Sequence, residues 1–277
     1  MNIKQHLQTG LATCLLGLAA GSASAQATAP APDAGTQPFP PNPAASTAWP
    51  VTANVAITSD YISRGFTQTW GRPALQGGFD YVNPNGLYLG TWLSTLSGTE
   101  YRGATVEWDL YGGYSSTIGP LGYTVGAYYY AYPGTSSPLI DGRKYDYAEI
   151  KFGISYSVAA LNYYYVATND WFGTVDNGRG SGYLDLSVNP DLGSGFTLLM
   201  HYGAGWVKNT SAANWQDWKL GVSKAFDGGW TVTGAYTQAK DKNDYWTGAN
   251  FSKDSTGNTF ERRLGKAAYV LTISKAF

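Results

Sequence analysis

Twelve segments of alternating residues, joined by connections that are alternately short and long, constrain the fold of this 277-residue chain most. Large, mostly apolar residues alternate with small or polar ones, as expected for strands with one apolar face. Most segments are close to the roughly 9–11 residues that a tilted strand needs to cross a bilayer. They are Val51–Ile62, Pro73–Val82, Leu87–Leu96, Ala104–Ile118, Tyr123–Tyr132, Tyr145–Ser157, Leu161–Asp170, Ser181–Asn189, Phe196–Lys208, Trp215–Phe226, Trp230–Lys240 and Lys266–Phe277.

The connections indicate how these strands are arranged. Five of them are short, and three of these, Asn83–Gly86, Gly119–Gly122 and Asp227–Gly229, carry residues typical of tight turns. Longer loops alternate with the short turns, and the longest is Asp241–Gly265. This alternation is typical of an up-and-down barrel with both termini on the periplasmic side. The sequence therefore predicts an all-β fold for residues 51–277, a transmembrane antiparallel β-barrel of about twelve strands.

The last segment supports a membrane barrel. Its large residues continue to a terminal aromatic residue, Phe277, and such a strand must pair with the first strand to remove both edges. The segment also resembles the tail that outer-membrane proteins present to their assembly machinery, although Lys275 departs from that pattern. Lys275 and its counterpart Lys224 are tolerable close to the membrane interface, where they can extend towards water. Taken alone, the segment also fits the last strand of a secreted β-sandwich.

Composition excludes several classes of protein. Ten Trp and 22 Tyr suit aromatic belts at two membrane interfaces. After the N-terminus no run of 18 apolar residues occurs, which excludes helical membrane spans. A formal net charge of −1 gives no indication of a nucleic-acid partner.

The N-terminal 50 residues predict export. Residues 1–25 read as a signal peptide, with Lys4 before an apolar core and Ala23-Ser24-Ala25 as the cleavage site. Cys14 lies inside that core, where a lipoprotein site is the weaker alternative. Residues 26–50 are rich in Pro and Ala and predict a disordered tether. We therefore expect passage through the periplasm to the outer membrane of a Gram-negative cell.

The face opposite the apolar rows collects charged residues, which we predict to line a pore. Charges on nearly every strand imply water or a paired network inside the barrel. The predicted pore-lining residues are Asp60, Arg64, Asp80, Glu107, Asp109, Glu149, Lys151, Asp185, His201, Asp217 and Lys219. The excess of acids favours cations modestly.

Several of these charges also admit a structural interpretation. Asp60 and Arg64, four residues apart on one face of the first segment, either steer solutes at the outer mouth or form an ion pair that holds the loop. The pairs Glu149 with Lys151 and Asp217 with Lys219 are neighbours on one face and could neutralise each other. In that case the network braces a barrel that conducts little.

The predicted pore is narrow. Eight-stranded barrels hold side chains alone and barrels of 16 or more strands hold water-filled channels, so about twelve strands leave a small opening. Inward-facing Tyr88, Trp92, Tyr128 and Tyr164 narrow it further.

Residues Thr52–Leu96 carry a motif pattern. It contains Asn54-Val55, Ser59-Asp60-Tyr61, Arg64-Gly65, Gln76-Gly77-Gly78, Asp80-Tyr81, and then Gly86, Tyr88, Gly90 and Trp92. In these residues the chain resembles the TorF family of porins. The resemblance implies an outer-membrane β-barrel for passive solute passage, with no established substrate.

The function expected from these features is passage of ions or small polar solutes, with outer-membrane lipid as the surroundings. The alternative is a non-conducting structural or adhesion barrel whose loops bind a partner, above all the loop Asp241–Gly265. An enzyme is less favoured, because His201 faces inward and the sequence places no carboxylate with it. The residues match no cofactor or metal motif.

Overall fold

The computed structural model describes residues 51–101, 103–135, 144–172, 175–241, 243–253 and 259–277, and for residues 249–253 and 260 it describes the backbone alone. The predicted signal peptide (1–25) and tether (26–50) lie outside these residues. Parts of four predicted loops, residues 102, 136–143, 173–174, 242 and 254–258, also lie outside them.

Seventeen strands are present in the described residues, and twelve of them form the barrel wall. In chain order they are β1 (Val51–Thr58), β2 (Ile62–Ser63), β3 (Phe66–Thr67), β4 (Ala74–Val82), β5 (Leu87–Thr95), β6 (Val106–Ile118), β7 (Leu121–Ala131), β8 (Tyr147–Tyr156), β9 (Ala159–Val166), β10 (Gly182–Val188), β11 (Asp191–Gly193), β12 (Phe196–Trp206), β13 (Trp215–Phe226), β14 (Trp230–Asp241), β15 (Ala249–Lys253), β16 (Thr259–Arg263) and β17 (Ala268–Ala276).

The wall is a closed antiparallel ring. Its order is β1, β4, β5, β6, β7, β8, β9, β10, β12, β13, β14 and β17, and β17 pairs back onto β1. In that closing pair Asn54 lies opposite Ala276, and the amide of Phe277 donates to the carbonyl of Ala53 at 2.9 Å. The prediction of a twelve-stranded antiparallel barrel is confirmed.

Short turns lie at one end of the ring and long loops at the other, as predicted. We call these the turn end, which also holds residue 51 and Phe277, and the loop end. At the turn between β4 and β5, Gly86 has a φ of 98°, which an L side chain adopts only with strain. Five short strands of the described residues stand outside the regular wall. β2 pairs with β3 in the first loop, β15 pairs with β16 in the last loop, and β11 extends the turn before β12.

The outer surface is a band of exposed apolar side chains. Alternate residues of the wall strands point outward, and these include Ile57, Phe79, Leu89, Leu110, Phe152, Leu220 and Ile273. An apolar band of this kind around a closed ring fits the hydrocarbon core of a bilayer, because no strand edge is left without hydrogen bonds. The protein is therefore a transmembrane β-barrel. Within the described residues, no helix has the length and apolar character needed to cross a membrane.

Two lysines mark the turn end, as predicted. The ammonium of Lys224 lies 4.4 Å from the ring centre of Phe196, and that of Lys275 lies 5.4 Å from the ring centre of Phe277. Each ammonium also donates to a turn carbonyl, that of Ser194 or Gly228. Both charges thus reach the polar interface, where an outward lysine costs little.

Candidate functional site: the barrel interior

The first loop folds back into the barrel. β1 ends at Thr58, and the chain then turns through Arg64 and Gly65, whose φ values are 48° and 83°. A Cβ built on Gly65 would lie 2.5 Å from the Cβ of Asp217 and 2.7 Å from that of Ala239. The loop tip is therefore pressed against β13 and β14, and glycine is needed both for its backbone conformation and for the close approach.

Arg64 anchors this tip across the lumen. Its guanidinium donates two hydrogen bonds to Glu149 on β8, at 2.8 and 2.5 Å, and both side chains are buried. It also lies 5.0 Å and 4.6 Å from the ring centres of Tyr164 and Tyr183. Because β8 is five strands round the ring from β1, the loop spans most of the diameter. A bidentate ion pair of this kind fixes the position of the guanidinium and also compensates its charge.

Asp60 organises the base of the same loop. It accepts hydrogen bonds from the hydroxyls of Thr67 and Thr69 at 2.5 and 2.9 Å and from the amide of Gly71 at 3.1 Å. Arg262, in the last loop, lies 3.3 Å from its other oxygen. Burial raises the pKa of Asp60 above its ordinary value.

The prediction that Asp60 and Arg64 share a face of the first strand is wrong. Both residues follow the end of β1 at Thr58, and each pairs with a different partner. The alternating pattern continues past Thr58, but the chain leaves the wall there because its hydrogen-bonding groups are taken up inside the loop. The alternative of an Asp60–Arg64 ion pair is also wrong, although both residues do hold the loop through other ion pairs.

The remaining predicted residues lie on the inner faces of the wall strands. Asp80 and Lys219 are partly exposed, and the others are buried to 9% exposure or less. The buried set on the wall is Glu107, Asp109, Glu149, Lys151, Asp185, His201 and Asp217. Their position inside the barrel follows from strand alternation, whereas their role as pore-lining residues stays a prediction.

Bonds from other strands and from the first loop hold two acids of this set, Glu107 and Glu149. Glu107 accepts from the hydroxyls of Tyr61 at 2.8 Å and Tyr132 at 3.2 Å. Glu149 accepts its two hydrogen bonds from Arg64. The ammonium of Lys151 lies 5.5 Å from the ring centre of Tyr164. The hydrogen bonds to Glu149 thus come from the opposite side of the lumen.

His201 has two carboxylates beside it, which the sequence analysis missed. Its Nε2 lies 2.9 Å from Oδ1 of Asp217, and its Nδ1 lies 3.3 Å from Oδ1 of Asp185. The hydroxyl of Tyr183 donates to Asp217 at 2.9 Å. The register of β12 with its neighbouring strands would have revealed these two carboxylates. His201 lies opposite Ser187 and Lys219, so acids two residues away on the neighbouring strands share its face.

The His201 cluster is a hydrogen-bonded network without the geometry of a hydrolase triad. The hydroxyl of Ser187 donates to Asp185 at 3.0 Å. Within the described residues, no hydrogen bond joins a serine hydroxyl to the imidazole. A nucleophile activated by this histidine would need such a bond.

Aromatic side chains fill one half of the interior. The rings of Tyr130 and Tyr147 stack at 4.5 Å between centres, and that of Tyr128 lies 6.4 Å from Tyr130. The four residues predicted to narrow the lumen, Tyr88, Trp92, Tyr128 and Tyr164, are all buried to 3% exposure or less. Their inward orientation is confirmed.

The opposite half carries small side chains. The inner residues of β14 and β17 are Thr231, Thr233, Ala235, Thr237, Ala239, Val270, Thr272 and Ser274. We call this surface the small-residue wall. A cavity with about 40 Å³ available to the centres of water molecules lies between it and the first loop. Arg64 of the first loop, and His201, Asp217 and Lys219 of the adjacent strands β12 and β13, also line the cavity.

A second cavity lies at the loop end, above the inserted first loop. It has about 70 Å³ available to the centres of water molecules. Its lining comes from several loops and includes Phe66, Tyr101, Trp171, Trp215 and Trp246. The lumen is thus divided by the first loop into an outer aromatic space and an inner space beside the small-residue wall.

Residues 42–277 match a family described as "Bacterial protein of unknown function (Gcw_chp)". The chain belongs to the Gcw_chp family. This name differs from TorF, the family that Thr52–Leu96 resembles, and its description assigns no function. No curated protein matches this Gcw_chp sequence.

Solved structures resemble this Gcw_chp barrel only distantly. The KdgM porin is 9% identical with a TM-score of 0.49, and the match covers 82% of this chain and 99% of that one. The outer membrane protein Omp33 of Acinetobacter baumannii is 10% identical with a TM-score of 0.42, covering 83% and 97%. An anion-selective porin from Comamonas acidovorans is 13% identical with a TM-score of 0.37, covering 82% and 97%. The twelve-stranded ring rests on the strand pairing of this chain itself.

Proposed function

We propose that this protein is a porin-like channel of the outer membrane that passes ions or small polar solutes along a narrow, off-centre path. The path follows the small-residue wall, and the first loop bounds it on the other side. The resemblance of Thr52–Leu96 to the TorF porins agrees with this function. Export through the periplasm, and insertion by the assembly machinery through the strand ending at Phe277, complete the proposal.

The observation that carries the proposal is the cavity beside the small-residue wall. Threonine side chains of β14 and β17 line it, together with Lys219 and Asp217 of the adjoining strand β13, so its surface suits water and hydrated ions. A cavity of about 40 Å³ for water centres holds about three water molecules, which favours small solutes over large ones.

The interior charges favour cations modestly. The acids on the wall outnumber the basic residues among the described side chains, but most acids are held by buried partners. Asp80 and Lys219 are the partly exposed charges of the predicted set, so they act most directly on a passing ion. Asp80→Lys should therefore move the reversal potential towards anions, and Lys219→Glu should move it towards cations.

The deciding experiment is single-channel recording from the mature barrel in a planar bilayer under a KCl gradient. Discrete current steps are expected from the parent protein. Ala235→Trp places a large ring on the small-residue wall and should reduce the conductance strongly. Tyr236→Trp changes the neighbouring residue, which faces outward, and should leave the conductance unchanged.

Two outcomes would overturn the proposal. A folded barrel that gives no current steps would show that the lumen does not conduct at rest. If the parent conducts and Ala235→Trp conducts equally well, the path does not follow the small-residue wall.

A further inference from the structure

The cavity at the loop end is built mainly from aromatic surfaces. Trp171 and Trp215 stack at 5.8 Å between ring centres, and Phe66 lies 5.5 Å from Trp215 and 6.4 Å from Trp246. Tyr101 completes this set of rings. These side chains come from four loops and from the start of β13, so parts of the chain far apart in sequence converge on one space. Aromatic faces attract cations through their quadrupole.

Most polar groups on the lining already have partners inside the protein. The amide of Gln68 donates to the carbonyl of Phe66, and its oxygen accepts from the hydroxyl of Tyr101. The hydroxyl of Thr67 donates to Asp60, and the guanidinium of Arg64 is held by Glu149. A sugar, which needs many free donors and acceptors, therefore finds few partners here.

Glu100 is the exception on this lining. Within the described part of the chain, its carboxylate accepts one hydrogen bond, a long one of 3.4 Å from the indole of Trp70. A carboxylate with further free acceptor positions beside several aromatic rings is complementary to a cation with apolar substituents. Such a cation needs ring faces and one negative charge, and it does not need an array of hydrogen bonds.

The size of the cavity agrees with a small group. About 70 Å³ for water centres corresponds to about five water molecules, or a ligand group of about five non-hydrogen atoms. We propose that this cavity binds an alkylated ammonium group, with Glu100 as the counter-charge and the rings of Trp171, Trp215 and Trp246 as the cage. The site lies at the outer mouth of the proposed channel, but binding there does not require conduction.

The test is isothermal titration of the folded barrel in detergent micelles with tetramethylammonium chloride. Sodium chloride serves as the ionic control and tert-butanol as a neutral molecule of similar shape. Tetramethylammonium should bind, and both controls should give no saturable heat. Glu100→Gln should weaken binding at least about tenfold, because a charge-assisted contact is lost while the shape is kept. Trp246→Leu should weaken it several-fold.

Trp218→Leu is the matched control, because Trp218 lies on the outer face of β13, away from the cavity. The Trp218→Leu variant should bind tetramethylammonium with the affinity of the parent. The proposal is overturned if the folded parent does not bind tetramethylammonium, if tert-butanol binds equally well, or if Glu100→Gln binds as tightly as the parent. Since titration measures binding alone, a non-conducting barrel that binds would refute the channel and leave this site standing.

Discussion

The ion pair between Arg64 and Glu149 should govern both the docking of the first loop and the stability of the barrel. Arg64→Met keeps a long side chain but removes the charge, and it leaves Glu149 buried at 0% exposure without its two short hydrogen bonds. Removing one partner of a buried pair costs about 3–5 kcal/mol. At about 1.4 kcal/mol per factor of ten, the docked loop loses roughly two to three and a half orders of magnitude in its equilibrium constant.

The double variant Arg64→Met/Glu149→Met is the matched control. It removes both charges, and apolar replacement of a buried pair is often close to neutral, so most of the lost stability should return. The assay is guanidinium unfolding in micelles, followed by tryptophan fluorescence. In planar bilayers the single variant should conduct more than the parent, because the loop no longer bounds the path. If the single variant unfolds within about 0.5 kcal/mol of the parent, the pair does not hold the loop.

Three further predictions concern the first loop and the aromatic cavity above it. Gly65→Ala should destabilise the barrel by about 1–3 kcal/mol, since Gly65 has a φ of 83° and no room for a Cβ. Gly234→Ala is the control, because a Cβ added there has no atom within 4 Å, and it should cost less in the same unfolding assay. Burial raises the pKa of Glu100 above its ordinary 4.5, whereas Arg64, which also lines the cavity, stays charged. Titration should therefore show tetramethylammonium binding being lost as the pH falls through a value above 4.5. Asp60→Asn removes the charge that accepts from two threonines and one amide, and it should increase protease cleavage of the first loop without unfolding the wall.

The wall of the barrel was predictable from the sequence because strand alternation and turn residues are local. Each of the twelve predicted segments contains most of a wall strand, and their ends differ from the observed ones by a few residues. The strand ends differ most at Leu161–Asp170, where β9 stops at Val166, and at Val51–Ile62, where β1 stops at Thr58. Beyond Thr58 the chain is held by bonds inside its own loop and by the contact of Arg64 with Glu149 across the lumen, and a local pattern carries no information about the latter.

The interior was only partly predictable, because contacts across the lumen are not local in sequence. Strand parity placed His201, Asp185 and Asp217 on the inner face, and the register of adjacent strands would have brought them together. The pairing of Glu149 with Arg64 could not be found in this way. Arg64 reaches Glu149 from a loop that lies five strands away round the ring. The aromatic cavity depends on the convergence of four loops, which no single stretch of sequence records.

The small-residue wall has a consequence for the assembly of the barrel. β17 belongs to this wall, and it pairs with β1 across the largest sequence separation in the ring. Contacts of such separation are entropically costly and form late. A seam whose inner side chains are threonine, alanine and serine can join without interlocking large rings, so the barrel can shut around a first loop that already occupies its centre. The strands along which we propose that solute passes are thus also the ones that make the last step of folding sterically simple.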